Sequence, residues 1–384
     1  MEMVMKDEVS IVFTGDIAFT KYFASCENIN DYIDDDIVNF MQSSDYCVGN
    51  IEGAILQSFD AEGKPEFKHC SSVNCMESLL KLNVNVWCLA NNHMFDFEKN
   101  GIEQTLGYAN QNNIRCIGIL SEDSSFEEVV INNCGGIGII AVTYDDRNTD
   151  TYKNLYWKDF KRISSTIKKI KRTCRWCIVV AHAGEEFSPL PSPETKNVFK
   201  QYVTMGADVV IGHHPHVVEN YENFANGLIF YSLGNFIFDT DYQRAQHGTD
   251  VGVIVKLTIS ADTIKWQAIG IKINRDNQSI LQCELPDIFT EISDKQYRRL
   301  WKYSARSLSI ANRRIDLYFR SRKNIRFKVL RAFLSEIRGC LRNYSKFKLY
   351  CGKILSYIPC YTRSDDRKLK AYILNKQTRG LDHD

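Results

Sequence analysis

A chain of 384 residues, 44% hydrophobic and 25% charged, has the length for one large domain plus a smaller one and the composition of a globular protein. Its net charge of +1 hides a split: 24 Lys+Arg against 8 Asp+Glu from residue 291 onward, and 24 against 39 before it. Thirteen scattered cysteines, an odd number, exclude the framework of a small disulfide-bonded domain, and no apolar run reaches the length of a membrane span. Reduced thiols and an opening apolar run too short for a signal segment lead us to expect a cytoplasmic location.

The first expected strand is 9–14 (VSIVFT), ending at Gly15-Asp16, and the next is 46–49, ending at Asn50. A helix is expected over 75–82, followed by a strand over 84–90 (VNVWCLA) that ends at Asn91. Helices over 98–112 and 155–171 precede a strand over 176–181 (WCIVVA) ending at His182. A helix over 194–205 leads to a strand over 207–212 ending at His213. Strands alternating with helices predict an α/β sheet protein. The runs at 228–231, 251–259 and 264–273 read as consecutive strands completing a second sheet by antiparallel pairing. Two regions are expected, 1–287 and a basic, mostly helical 288–384.

The polar residues gather just past the strand ends, where open α/β sheets place ligands. Thr14-Gly15-Asp16 offers a carboxylate on a tight turn, and Asn50 with Glu52 an amide and a second carboxylate. Asn91, Asn92 and His93, with Asp96 beyond, add amides, an imidazole and an acid. His182 is followed by Glu185 and Glu186; His213, His214 and His216 stand together; and Gly234-Asn235 forms a further turn. Five of the eight histidines lie in these segments. Imidazoles mixed with carboxylates and an amide oxygen suit Mn²⁺, Zn²⁺ or Fe better than Mg²⁺ or Ca²⁺. An extended strand end would aim His214 and His216 the same way, with Pro215 stiffening that aim. Any one of these pieces is commoner as a turn or a satisfied core group than as a ligand; their conjunction predicts a single site.

In chain order, GDIAF, GNIE, ANNHMFDF, HAGEEF, GHHPHV and YSLGNFIF resemble the motif series of the CapA-like poly-γ-glutamate capsule biosynthesis family, relatives of the calcineurin-like metallophosphoesterases. The resemblance spans about residues 8–275. It implies a four-layer α/β/β/α sandwich, with the site at the strand ends and one or two divalent ions. It places Asp16, Glu52, Asn92, His182, His214 and His216 at metal-binding positions and His93 at that of the imidazole that protonates a leaving group. On that footing Asp96 orients His93, and Glu186 supports His182 or faces substrate. Asn50, Asn91, His213 and Asn235 are expected to contact substrate. The sequence departs from the phosphoesterase pattern at Ala18, where an imidazole is expected, at Glu52, where an Asp is common, and at Ala183, where a Trp is frequent. The implied activity is metal-dependent hydrolysis of a phosphoester or related amide bond in capsule or exopolysaccharide biosynthesis. The competing reading is a non-catalytic assembly or export factor binding an anionic polymer.

Residues 295–342 carry apolar stripes at helical spacing (Tyr297, Leu300, Trp301, Leu308; then Leu330, Phe333, Leu334, Ile337) opposite Arg and Lys. Such a region either packs with a solvated basic face or touches an anionic surface, such as the inner membrane face or a lipid-linked or phosphorylated substrate. Nucleic acid lacks any supporting signature. Cys174 and Cys177 form a C-x-x-C without a partner pair at zinc spacing and read as structural.

Overall fold

The computed structural model describes residues 7–26, 28, 32–57, 68–122 and 127–301. One sheet contains β1 (Glu8–Ile17), β2 (Tyr46–Ile51), β3 (Val84–Cys88) and β4 (Arg115–Ile117). The other contains β5 (Glu128–Ile131), β6 (Ile137–Thr143), β7 (Trp176–His182), β8 (Val209–His213), β9 (Tyr221–Phe224) and β10 (Gly227–Phe230). The chain then returns to the first sheet with β11 (Asn235–Ile237), β12 (Val251–Ser260), β13 (Ile264–Asn274) and β14 (Ser279–Cys283). The first sheet runs β14-β13-β12-β1-β2-β3-β4, with β11 added alongside the end of β1, and the second runs β9-β10-β8-β7-β6-β5.

The strands near the centre of each sheet are buried on both faces, so each splits its residues between two cores. In β6, Ile137, Ile139 and Ala141 face the first sheet, whereas Ile140 and Val142 face outward. In β1, Ile11 and Phe13 face the second sheet and Val12 the other side. The inner core between the sheets holds Val48, Val86, Ile178, Val180, Ile211, Phe230, Val253 and Val255. Helices α1 (Asp35–Gln42), α2 (Met76–Lys81) and α3 (Glu98–Gln111) cover the first sheet with Ile37, Met41, Leu79 and Ile102. Helices α4 (Phe160–Thr173) and α5 (Pro193–Met205) cover the second with Ile163, Ile167, Phe199 and Tyr202. Three cores separating four layers make an α/β/β/α sandwich.

Local sequence accounts for the helix ends. Asp159 caps α4 through the Arg162 N–H, and Ser192 caps α5 ahead of Pro193. Gly206, at φ 115°, closes α5 in the left-handed region.

The expected elements recur, with three corrections. β12 and β13 do not build a second sheet with 228–231: β12 lies antiparallel to β1, with Glu8 opposite Ser260, while β10 runs parallel to β8. β6 lies outside the expected strands although it pairs along its whole length with β7. The helix expected from residue 155 starts at Phe160, because Trp157 N–H bonds back to the Thr143 carbonyl. Past residue 287, Phe289 enters the inter-sheet core and Tyr297 Oη–H donates to the Pro191 carbonyl. Residues 302–384, and with them most of the amphipathic stripes, lie outside the described residues. Among the described residues, no helix is long and apolar enough to cross a membrane.

Candidate metal centre

β1 places Asp16 opposite Asn50 of β2 on one side and Asn235 of β11 on the other. This crowding explains Gly15: a Cβ there would lie 2.3 Å from the Gly234 carbonyl oxygen. From the second sheet, β7 and β8 bring His182 and His213 side by side in register. The site therefore sits at one end of the sandwich and draws on both sheets.

Asp16 is fully buried. Its Oδ1 accepts from Asn50 Nδ2 (2.9 Å), and its Oδ2 lies 3.2 Å from His216 Nδ1 and accepts the His214 N–H (3.3 Å). Asp16, Glu52 and His182 each offer a ligand atom, all within 4.8 Å of one another. His216 Nε2 lies 3.6 Å from Glu52 Oε1, and His93 Nε2 lies 3.8 Å from the same oxygen. Asn50 Nδ2 can only donate, so His182 Nδ1 accepts (3.1 Å) and His182 Nε2–H donates to Asn92 Oδ1 (2.8 Å). His93 Nδ1–H donates to Asp96 Oδ2 at 2.6 Å.

The electrostatics are those of buried, crowded charge. Burial opposes ionisation of Asp16, yet the His216 hydrogen bond, the charges of His213 and His216 and the His214 N–H hold its pKa below the ordinary value. Glu52 goes the other way: burial pushes it well up, Asp16, Glu186 and Asp96 add to this, and His216 offsets it only in part. Burial also works against charging His216, but Glu52 and Asp16 overcome it and raise the imidazole to about 10. His214 falls to about 3 through burial and the neighbouring His216, and His182 is lowered by burial and the surrounding imidazoles.

The residues fit a divalent cation. Both Glu52 oxygens, Asn50 Oδ1 and His214 Nδ1 are buried with no hydrogen-bond partner. A carboxylate in that state is costly unless a proton or a cation answers it. The donors are mixed oxygen and imidazole nitrogen, as transition-metal and zinc sites use.

Several expected roles take another form. His214 and His216 do not continue an extended strand: the strand ends at His213, and both adopt left-handed backbone, φ 95° and 56°, flanking Pro215. Strain of about 1–3 kcal/mol each marks this loop as held by its surroundings. His213, expected at substrate, is buried and donates from Nε2 to the Thr14 carbonyl (2.8 Å), tying the two sheets together. Asn91 is consumed by backbone: its Oδ1 accepts from Gly53 and His93 N–H, and its Nδ2 donates to Ile51 O. Asn235 is likewise consumed, orienting His216 from Oδ1 (3.0 Å) while Nδ2 donates to Gln243 and the Thr249 carbonyl. Asn50 turns its amide nitrogen to Asp16 and His182. Ala18 packs in the core, its N–H bonded to the Ile237 carbonyl. Glu186 is half-buried, and its charge adds to burial in raising the Tyr144 and Tyr242 hydroxyls.

Other neighbours were not singled out in the sequence, and all but Phe187, the last residue of HAGEEF, lie outside the motifs. The His69 ring lies 4.0 Å from that of His93, and Tyr144 lies 4.4 Å from His214. Phe187, left-handed at φ 59°, stacks on His216 and meets Tyr242 edge-on. Arg147 bonds Asp96.

Paired sheets sheathed by helices, with Asp, Glu, Asn and His gathered at one end, define an α/β/β/α sandwich with a buried acid–imidazole cluster drawn from both sheets. The profile of the bacterial capsule synthesis protein PGA_cap family matches residues 10–240, and the chain belongs to that family. It is 26% identical over 306 residues to the capsule biosynthesis protein CapA of Bacillus anthracis, covering 70% of this chain and 72% of that one. It is 26% identical over 254 residues to the PGA biosynthesis protein CapA of Bacillus subtilis (strain 168), covering 62% and 66%. Among solved structures, a phosphatase from Mycoplasma pneumoniae superposes with a TM-score of 0.44 at 16% identity, over 70% of this chain and 95% of that one.

Proposed function

We propose that this member of the capsule synthesis family is a metal-dependent hydrolase of a phosphoester or related amide bond in capsule, exopolysaccharide or poly-γ-glutamate biosynthesis. The observation that carries the reading is Glu52, fully buried with both oxygens unpartnered amid Asp16, His182 and His216. Those four would hold the cation, with Asn50 Oδ1 and His214 Nδ1 as further unpartnered donors, and Asn92 would join by releasing His182. When bound, the cation makes water a nucleophile near neutral pH and offsets charge growing on the attacked oxygen. His93, held by Asp96 with Nε2 toward Glu52, is placed to move a proton at the leaving group. Glu186 stands near the same centre, where substrate or water would meet it.

Elemental mass spectrometry of the purified protein, beside a His214→Ala, His216→Ala variant, tests the centre. One or two equivalents of Mn, Fe or Zn, lost in the variant, support it, and no metal after reconstitution refutes it. His93→Ala should then abolish turnover of phosphoesters or γ-glutamyl amides while sparing metal content. Ala18 favours a second reading, in which the protein binds an anionic polymer without cleaving it. Bound metal without turnover across both substrate classes would select that reading. Contact of the basic region with an anionic membrane belongs to the same proposal. Vesicle binding that survives deletion of 290–384 would remove it.

A further inference from the structure

Asp96 accepts from three directions. Its Oδ2 takes His93 Nδ1–H at 2.6 Å and the His69 N–H at 2.9 Å, and its Oδ1 takes Arg147 Nη1–H at 3.1 Å. Arg147 also donates from Nε to Asp145 Oδ2 at 2.8 Å, an oxygen that accepts from Asn154 Nδ2 at 3.3 Å as well. Asp145 and Arg147 follow β6 of the second sheet, whereas His93 and Asp96 follow β3 of the first. A row of hydrogen bonds thus runs from the second sheet to the imidazole of the first.

We propose that Arg147 is a positioning residue for His93, acting through Asp96. With both oxygens engaged, the Asp96 carboxylate cannot turn. Its Oδ2 stays on His93 Nδ1, which leaves Nε2 facing Glu52 Oε1 at 3.8 Å. The His69 ring, 4.0 Å away, closes the other side of the imidazole. Burial alone would raise the Asp96 pKa, but the bonds from His93, the His69 N–H and Arg147 keep the carboxyl ionised, as an acceptor must be. Only a planar fork spans two carboxylates in this way; a lysine ammonium is a single point.

The alternative role for this cation is to clamp an anionic substrate. A cleft of about 320 Å³ beside Arg147 is lined by Lys68, Asp96, Glu98 and Thr149. Its two cations face two carboxylates, and Asp145 takes up more of the Arg147 charge, so no cationic surplus is left to hold an anion.

Only the kinetic part of this proposal rests on the hydrolase reading. The test pairs Arg147→Gln and Arg147→Lys with wild type, each scored by ¹⁵N-histidine NMR, turnover, Tm and metal content. The His93 signals are identified by their loss in His93→Gln. In Arg147→Gln the hydrogen-bonded Nδ1–H resonance of His93 should disappear, and kcat should fall about 10- to 100-fold with KM within about twofold, at unchanged metal content. Arg147→Lys should restore part of both. An unaltered Nδ1–H resonance in folded Arg147→Gln overturns the proposal, as does a rise in KM at constant kcat. If the Gln variant fails to fold, a wild-type-like resonance and kcat in Arg147→Lys overturn it equally. If wild type turns over nothing, the resonance alone decides: its loss supports positioning while the hydrolase reading fails, and its persistence overturns positioning.

Discussion

Glu52→Gln separates the stability of the fold from the stability lent by a cation. Glu52 is 0% exposed and neither of its oxygens has a hydrogen-bond partner, His216 Nε2 coming no nearer than 3.6 Å. An unpaired buried acceptor costs about 1–3 kcal/mol, and more if charged. In the cation-free protein the raised pKa of Glu52 means that a proton relieves this cost. A neutral glutamine of the same shape is therefore expected to alter cation-free stability by less than about 1 kcal/mol, or to raise it. A cation at one hundred times its dissociation constant stabilises the folded state by about 2.7 kcal/mol. For a domain of this size, at about 2 °C per kcal/mol, that is a Tm rise of about 5 °C. Removing a charged donor should erase most of that rise. The assay is thermal unfolding by circular dichroism with and without Mn²⁺ or Zn²⁺. A cation-free variant melting more than about 5 °C below wild type, or a cation-dependent rise that survives intact, would refute this role of Glu52.

Three further outcomes follow from the same geometry. In the cation-free protein, the contribution of His216, raised to about 10, is full below about 6.5 and fades as pH climbs toward 10. Raised Glu52 has the same sign, whereas lowered His182 and His214 destabilise only as pH falls below about 6.5. Tm should therefore decline from pH 7 to 10 and flatten on cation loading; a level cation-free profile would contradict the assignment. Asn235→Ala frees His216 and strands the Gln243 and Thr249 partners, so cation affinity should fall about 10- to 100-fold and stability by about 1–3 kcal/mol. Calorimetric titration showing unaltered affinity would refute that orienting role. His213→Gln should lower Tm and leave KM alone, because its ring bonds the Thr14 carbonyl; a raised KM with unchanged Tm would return His213 to the substrate.

The strands and the position of the site were readable in the sequence because buried strands are continuous apolar runs and their polar end-residues stand out against them. Which sheet each strand joins was not readable. A strand buried on both faces has no polar side to show orientation, so β12 and β10 look alike in sequence yet lie in different sheets. β6, an apolar run after Gly135-Gly136, went unassigned even though Asp145-Asp146 follow its end, because it lacks the imidazoles and amides that draw attention to the other strand ends. Asp16, Glu52, His182 and His216 were visible as ligand-type residues at turns. His213, Asn91 and Asn235 were equally visible, and only the structure shows their side chains bonded to backbone groups. Arg147 and His69 reach the site through loops, where spacing carries no periodic signal.

The pairing of Glu8 with Ser260 has a consequence in time. The strand that carries Asp16 leaves the ribosome early, but its antiparallel neighbour β12 and its parallel neighbour β11 follow more than two hundred residues later. At about 5–20 residues per second, roughly 10–50 s pass before that strand is enclosed on both sides. During that interval an apolar strand waits with an open edge, and the acid–imidazole cluster around Asp16 is not yet assembled. A nascent or truncated chain ending before residue 235 would lack Asn235 beside Asp16, and with it the side chain that orients His216.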